Sequence, residues 1–573
     1  GVDSIYIDTM QMDPFLLGGD FSTHGGWGEK SFRQYLSSHL STKELDKLGI
    51  KDLTHFNFHD YLVAKYHPKI VDRPGTPYNV TSGSPFYRNV GTTFLEISET
   101  SLTDPIVKGW IIFQYESKLN FVQQLANLTH SFRSAGGCEV PFFGETPSIW
   151  GNTLYFGSSP FDVVHAGVED IVWITDHAPL PPIGRNTGGT KLGFALSKDG
   201  VVWNRIGLVC GVPGTLISDC VFGEGLIDDT SNFVKILVAE SYAAGGVPTL
   251  GFSYGERQIS TYPYRAEANY RLITGNERHE LVKYTQFVRT NKDLFLNLSS
   301  WANVGLVYSL PSLFWDYVPA FGMWADSSPH YPEFLGSIRG LEESHTPYDV
   351  LAFGMPGILD DSHTLSKLKS YSVIILPSVT HLSQAQVEAL MEYVNGGGKL
   401  LIVGSFGLDD EMNSHPNPAL RGLLTNLRHS PGVLQTENLG ALYEASVEQG
   451  KPDSDSFNSL LSSIVKLLGA DQILSTDAPA TVYVGTFIDP MTERLAIHLV
   501  NYDYTFNAKS DAVKATGPIR LHIRLPSGIS PDTVTLLNPD TNSSTSLMPT
   551  LNGGFLDVEI PSLAIWSIIL VGP

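Results

Sequence analysis

An alternation constrains this chain more than any other feature. Short apolar runs of β-forming residues, three of them carrying an acid at or near their ends, are separated by stretches in which apolar residues recur at helical spacing. Ser4-Ile5-Tyr6-Ile7-Asp8 opens the series, and Cys138–Glu145, Asp170–His177, Asn204–Cys210 and Val247–Phe252 continue it. Helices are predicted over 32–40, 60–66, 105–133, 232–244 and 279–296. Runs that are apolar throughout suit strands buried on both faces, and strand–helix–strand order makes such strands parallel. A Rossmann-like sheet or a barrel follows. No G-x-G-x-x-G follows any of the runs, which disfavours a dinucleotide-binding sheet. A closed (β/α)8 barrel needs eight strands, so about three strand–helix units are expected upstream. The opening inside a strand, with neither an initiator Met nor a leader, agrees with that expectation.

The pattern restarts at Asn303. Asn303–Ser309, Tyr348–Leu351, Ser372–Pro377 and Lys399–Gly404 read as strands with helices between them, one over 383–395 stopping at Gly396-Gly397-Gly398. This predicts a small doubly wound α/β domain. From Ala480 onward, short strands separated by Pro, Gly, Asn and Asp predict an antiparallel sandwich. A chain of 573 residues exceeds one core, and the expected domains are 1–298, 299–477 and 478–573.

A net charge of -22 and a pI near 5.1 exclude nucleic acid and anionic membrane as main partners and favour a neutral ligand. Cys138, Cys210 and Cys220 cannot build a disulfide framework, although Cys210 and Cys220 are close enough in sequence to pair. Without C-x-x-C or Cys/His spacing, neither a structural zinc nor any other metal or cofactor is expected. Sequons at Asn79, Asn127, Asn297 and Asn542 fit an extracellular or cell-surface glycoprotein. The most apolar run, Ser562–Val571, is too short to span a membrane and reads as a final strand.

Ala239–Phe252 as last helix and strand, the restart at Asn303, Ile374-Ile375-Leu376-Pro377 and Ala496–Tyr502 stand in a telling order. That order resembles glycoside hydrolases of the beta-galactosidase type that joins a TIM barrel to a glutamine-amidotransferase-like domain and a C-terminal β-domain. The resemblance implies a (β/α)8 barrel, a flavodoxin/amidotransferase-like domain, a C-terminal β-sandwich and a carbohydrate substrate. It implies strands four to eight for the five runs. It further implies a homo-oligomer contact through the amidotransferase-like domain. The catalytic pattern departs from that family, which has an Asn-Glu pair after strand four and a nucleophile after strand seven. Here Asp8-Thr9 follows strand four and no acid tips strand seven, a pattern more similar to alpha-galactosidase-type or alpha-amylase-type barrels. No cysteine follows Cys220, so glutamine hydrolysis by a Cys nucleophile is excluded in the second domain.

Glycoside hydrolysis needs two carboxyl groups across the scissile bond, one protonated and one ionised. Asp8, Glu145 and Asp176 are acids at expected C-terminal strand ends. Convergence at one mouth would let like charge and burial raise one pKa. Glu145 is the candidate general acid/base and Asp8 the nucleophile, with Asp176 as alternative acid. Asp20, His24, Trp27, Trp150, Trp173, His177 and Arg185 are candidates to stack on sugar rings or bind hydroxyls. The structural alternative is that the acids cap loops and the tryptophans fill core. Two other functions stay open: a non-catalytic carbohydrate-binding or surface-assembly protein on the same scaffold, and a metal-dependent hydrolase using Asp8, His24 and His177. The latter lacks H-x-H or H-E-x-x-H spacing.

Overall fold

A computed structural model describes residues 5–7, 27–66, 70–72, 93–95, 104–133, 137–147, 168–175, 187–197, 200–206, 231–250, 276–295, 298–316, 328–412, 416–507 and 510–573. The first alternation folds into five parallel strands, each beside its predecessor: β1 (Ile5–Ile7), β2 (Phe142–Pro147), β3 (Ile171–Thr175), β4 (Val202–Ile206) and β5 (Val247–Leu250). Helices α1 (Trp27–His39), α2 (Thr42–Lys47), α3 (Phe58–Tyr66) and α4 (Pro105–His130) lie between β1 and β2. Helix α5 (Thr187–Leu196) precedes β4, α6 (Ser231–Ala243) precedes β5, and α7 (Asn276–Thr290) follows it.

Two strand boundaries differ from the sequence expectation. Strand β2 starts at Phe142 because Pro141 has no N–H to give a ladder, and it runs on to Pro147. Glu145 therefore stands inside the strand, not at its end. Strand β4 starts at Val202, because Val202 and Trp203 pair with Val172 and Trp173, and Val202 packs with Leu192 and Leu196 of α5. Residues 207–210 of the expected strand lie outside the described residues.

The start of α4 is fixed by its cap. Asp104 accepts the Ile106 N–H at 2.8 Å and Pro105 occupies the first helical position, where a missing N–H costs nothing. The sheet has two faces. Phe142 packs on Val122 and Ala126 of α4, and Val172 packs on the α5 side. Phe143 and Ile171 point the other way, with Trp203 packed edge-on to Phe143 at 5.2 Å between centroids.

The second alternation gives a doubly wound parallel sheet. Its strands are β6 (Val304–Ser309), β7 (Tyr348–Phe353), β8 (Val373–Pro377), β9 (Lys399–Val403) and β10 (Val433–Thr436), in the order β7-β6-β8-β9-β10. The sequence reading missed β10, a half-buried edge strand of four residues without a strong apolar run. One core cluster runs from α1 and α4 into this sheet, with Tyr115 against Phe314 at 4.7 Å.

Beyond residue 473 all pairing is antiparallel, in a four-stranded sheet and a six-stranded sheet that also takes in Ser299–Ser300, plus a two-stranded ribbon. Val482, Leu495 and Ile497 of one sheet pack on Leu521, Ile523 and Leu556 of the other. The larger sheet seats against α6 and α7. There the Tyr502 hydroxyl donates to Glu240 at 2.5 Å, and Lys235 and the Tyr284 hydroxyl both donate to Asp540. No described helix is long and apolar enough to cross a membrane.

Candidate active site

The C-terminal ends of β1–β5 lie along one edge, and the strand register sets which residues share a level. Ile7, Gly144, Val172 and Val202 form one row across four strands. The next row holds Glu145, Trp173, Trp203 and Val247. Asp8 follows Ile7 in the chain as Glu145 follows Gly144. Side chains alternate along a strand, and Phe143, Ile171 and Trp203 share one face of the sheet. That face is turned away from α4 and α5. The row therefore places one acid and two tryptophan positions together, the residue types that proton transfer and sugar stacking require.

Of the sequence candidates, Glu145 and Trp173 sit directly opposite each other on neighbouring strands. Trp27 is the first residue of α1. Asp8, Asp20, His24, Trp150, Asp176, His177 and Arg185 lie outside the described residues, as do Cys210 and Cys220. Trp203 was missed by sequence reasoning. The apolar pair Val201-Val202 just before it was the available signal.

The switch point of the second sheet, between β6 and β8, is where an open α/β sheet commonly binds ligands. Here the chain fills it with its own groups. The Ser309 N–H donates to His330 Nε2 at 2.9 Å, and His330 Nδ1–H donates to the Pro377 carbonyl, so one imidazole ties both strand ends together. Burial pushes the His330 pKa down to about 4 and keeps the ring neutral. Ser312 Oγ accepts the N–H groups of Thr380 and His381 at 3.0 and 3.1 Å. Sequence reading could not find this plug, because His330 and Pro377 are 47 residues apart. Among the described residues, no group of three or more His, Cys, Asp and Glu could hold a metal ion.

No protein-family model matches the chain. Among curated proteins, an alpha-agarase from Thalassotalea agarivorans is 24% identical over 365 residues, 61% of this chain. The match spans only 19% of that relative's length. Solved structures match more of the chain. A beta-galactosidase from Bacillus circulans covers 97% of this chain and 78% of its own, at a TM-score of 0.56 and 13% identity. A GH42 beta-galactosidase from G. stearothermophilus covers 95% and 76%, at 0.56 and 12%. An alpha-L-fucosidase from Paenibacillus thiaminolyticus covers 81% and 72%, at 0.52 and 14%. The chain thus has a glycoside-hydrolase-like architecture, built from a mixed α/β body and a C-terminal antiparallel region.

Proposed function

We propose that this chain belongs to a glycoside hydrolase acting on an oligo- or polysaccharide through two carboxylates. Its first 298 residues form the catalytic, barrel-type part. Residues 299–477 form a non-catalytic amidotransferase-like domain and residues 478–573 a β-sandwich. Glu145 is the general acid/base, Asp8 the nucleophile and Asp176 the alternative acid. The observation that carries this reading is the backbone register, which pairs Glu145 with Trp173 and Trp173 with Trp203 across three neighbouring strands. The names of the beta-galactosidase neighbours and of the alpha-agarase relative point to the substrate class, a galactose-containing glycan. With a net charge of -22 the chain favours a neutral glycan over a sulfated one.

The test uses the protein as expressed from its gene, assayed on agarose oligosaccharides, sulfated galactans and aryl galactosides and fucosides. Glu145→Gln and Asp8→Asn should each lower turnover by about 10²–10⁴-fold with the circular dichroism spectrum unchanged. Turnover in either variant equal to the parent would remove that residue from the mechanism. Glycan binding without turnover in the parent would favour a carbohydrate-binding role on the same scaffold.

A further inference from the structure

Helix α5 belongs to two regions at once. Leu192 and Leu196 join Val172 of β3 and Val202 of β4 in one core cluster, so one side of the helix lies on the first sheet. Thr187 and Lys191 project roughly 140° around the axis from those leucines, toward the second domain. There the Thr187 hydroxyl donates to Glu342 of the helix His330–Glu343, and the Tyr348 hydroxyl at the start of β7 donates to the same carboxylate oxygen at 2.8 Å. One turn on, Lys191 Nζ donates to the Tyr348 carbonyl at 2.7 Å and comes within 4.0 Å of Asp349. Gly188 lies so close to the same helix that an added Cβ would stand 2.8 Å from Ile338 Cδ1. Thr187, Gly188, Gly189 and Thr190 are all buried.

This grip has little slack. Burial pushes the Lys191 pKa down while Asp349 and Glu342 push it back up, so the charged groups depend on each other and none can shift without exposing another's cost. Its place gives it a consequence. Because α5 connects the parallel strands β3 and β4, its first turn stands at the C-terminal edge of the first sheet, where the candidate site lies. Strand β3 ends at Thr175 and α5 begins at Thr187. The connection 176–186 bears Asp176, His177 and Arg185, which lie outside the described residues. Its upstream end is fixed by the sheet and its downstream end by Thr187. A connection fixed at both ends has far fewer conformations than one released at one end.

We infer that Glu342 and Thr187 are positioning residues of the candidate active site, an inference that rests on the glycoside hydrolase reading. The second domain supplies no carboxyl group to the proposed chemistry. It holds the start of α5, and through it the connection that bears Asp176, His177 and Arg185. A displacement of about 1 Å transmitted to a reacting group can cost on the order of 10²-fold in rate, so a hydrogen bond remote from the chemistry can matter this much.

Thr187→Val keeps the shape of the side chain and removes the donor. It is assayed in the polypeptide expressed from its gene, per folded molecule and well below the unfolding midpoint, with agarose oligosaccharides and aryl galactosides as probes. Its kcat/KM should fall about 10–100-fold, Thr187→Ser should restore the parental value, and Glu342→Gln, which keeps an acceptor oxygen, should fall between. Tyr284→Phe breaks a buried hydrogen bond of the same kind at the joint with the C-terminal region and should leave kcat/KM unchanged. Parental kcat/KM in Thr187→Val would overturn the proposal, as would an equal loss in Tyr284→Phe. Amide hydrogen exchange separates such a failure from a failure of the glycoside hydrolase reading. Thr187→Val should speed exchange across 176–196 at least about tenfold and leave the β6–β10 sheet unchanged, whether or not the parent turns over a glycan. Parental exchange rates across 176–196 would overturn the positioning role. A parent without turnover would overturn the glycoside hydrolase reading, and with it a role in catalysis for this grip.

Discussion

Asp104 shows how much one residue can hold. Its carboxylate caps α4 and also accepts from the Tyr61 hydroxyl (2.8 Å), Lys65 (2.9 Å) and the Tyr66 hydroxyl (2.6 Å) of α3. Burial alone would raise its pKa, but these donors outweigh burial and hold it below the usual range. Asp104→Ala should cost about 2–4 kcal/mol in urea unfolding, since it removes the cap and leaves several donors unpaired, and Asp104→Asn should recover part of that. His498 is the opposite case. It is fully buried among Phe295, Phe487 and Trp566, and neither ring nitrogen has a hydrogen-bond partner among the described residues. Burial pushes its pKa down to about 3, so the unfolded chain takes up a proton first as pH falls. The stability His498 supports is complete above about pH 6.5 and is lost progressively toward pH 3, at up to about 1.4 kcal/mol per pH unit. Urea midpoints measured between pH 7 and 5 should fall less steeply in His498→Leu than in the parent.

At the scale of elements, one of the tightest contacts among the described residues is between the helices His330–Glu343 and Leu439–Glu448. A Cβ on Gly336 would sit 1.9 Å from the Gly440 carbonyl oxygen, so the backbones meet where neither residue has a side chain. One turn further, Arg339 pairs with Glu444 through two hydrogen bonds of 2.5 and 2.8 Å in a buried site. The bare crossing is what lets these charged groups reach each other. Gly336→Ala should push the helices apart and cost about 2–3 kcal/mol or more, read as a lower midpoint in thermal or urea unfolding. An unchanged midpoint would mean that the crossing can shift without loss.

Across the whole molecule, the regions are joined by buried polar contacts as well as by apolar core. Thr187 at the start of α5 donates its hydroxyl to Glu342 in the helix His330–Glu343, which also accepts from Tyr348 at 2.8 Å, and Lys191 donates to the Tyr348 carbonyl. At the other end, Asp540 of the C-terminal region receives Lys235 of α6 and Tyr284 of α7. Asp540→Ala leaves the buried Tyr284 hydroxyl without that acceptor and should cost about 1–3 kcal/mol. Hydrogen exchange should then speed up in 231–243 and 276–290 and stay unchanged in the β6–β10 sheet. Equal acceleration in both would mean that the regions unfold as one unit.

Local pattern determined the classes of structure. Apolar runs separated by helical periodicity require parallel strands with helices outside them. Short strands broken by Pro, Gly and Asn require antiparallel pairing, and both appear where the residues called for them. The position of Glu145 in a strand of the first sheet was legible for the same reason. Pairing and packing decided the rest. Periodicity cannot say that Glu145 lies opposite Trp173, because register depends on a partner strand 28 residues away. Nor does any local signal reveal that His330 bridges Ser309 and Pro377. Those features exist only once distant segments meet, since a hydrogen bond is a property of two surfaces and not of one stretch of chain.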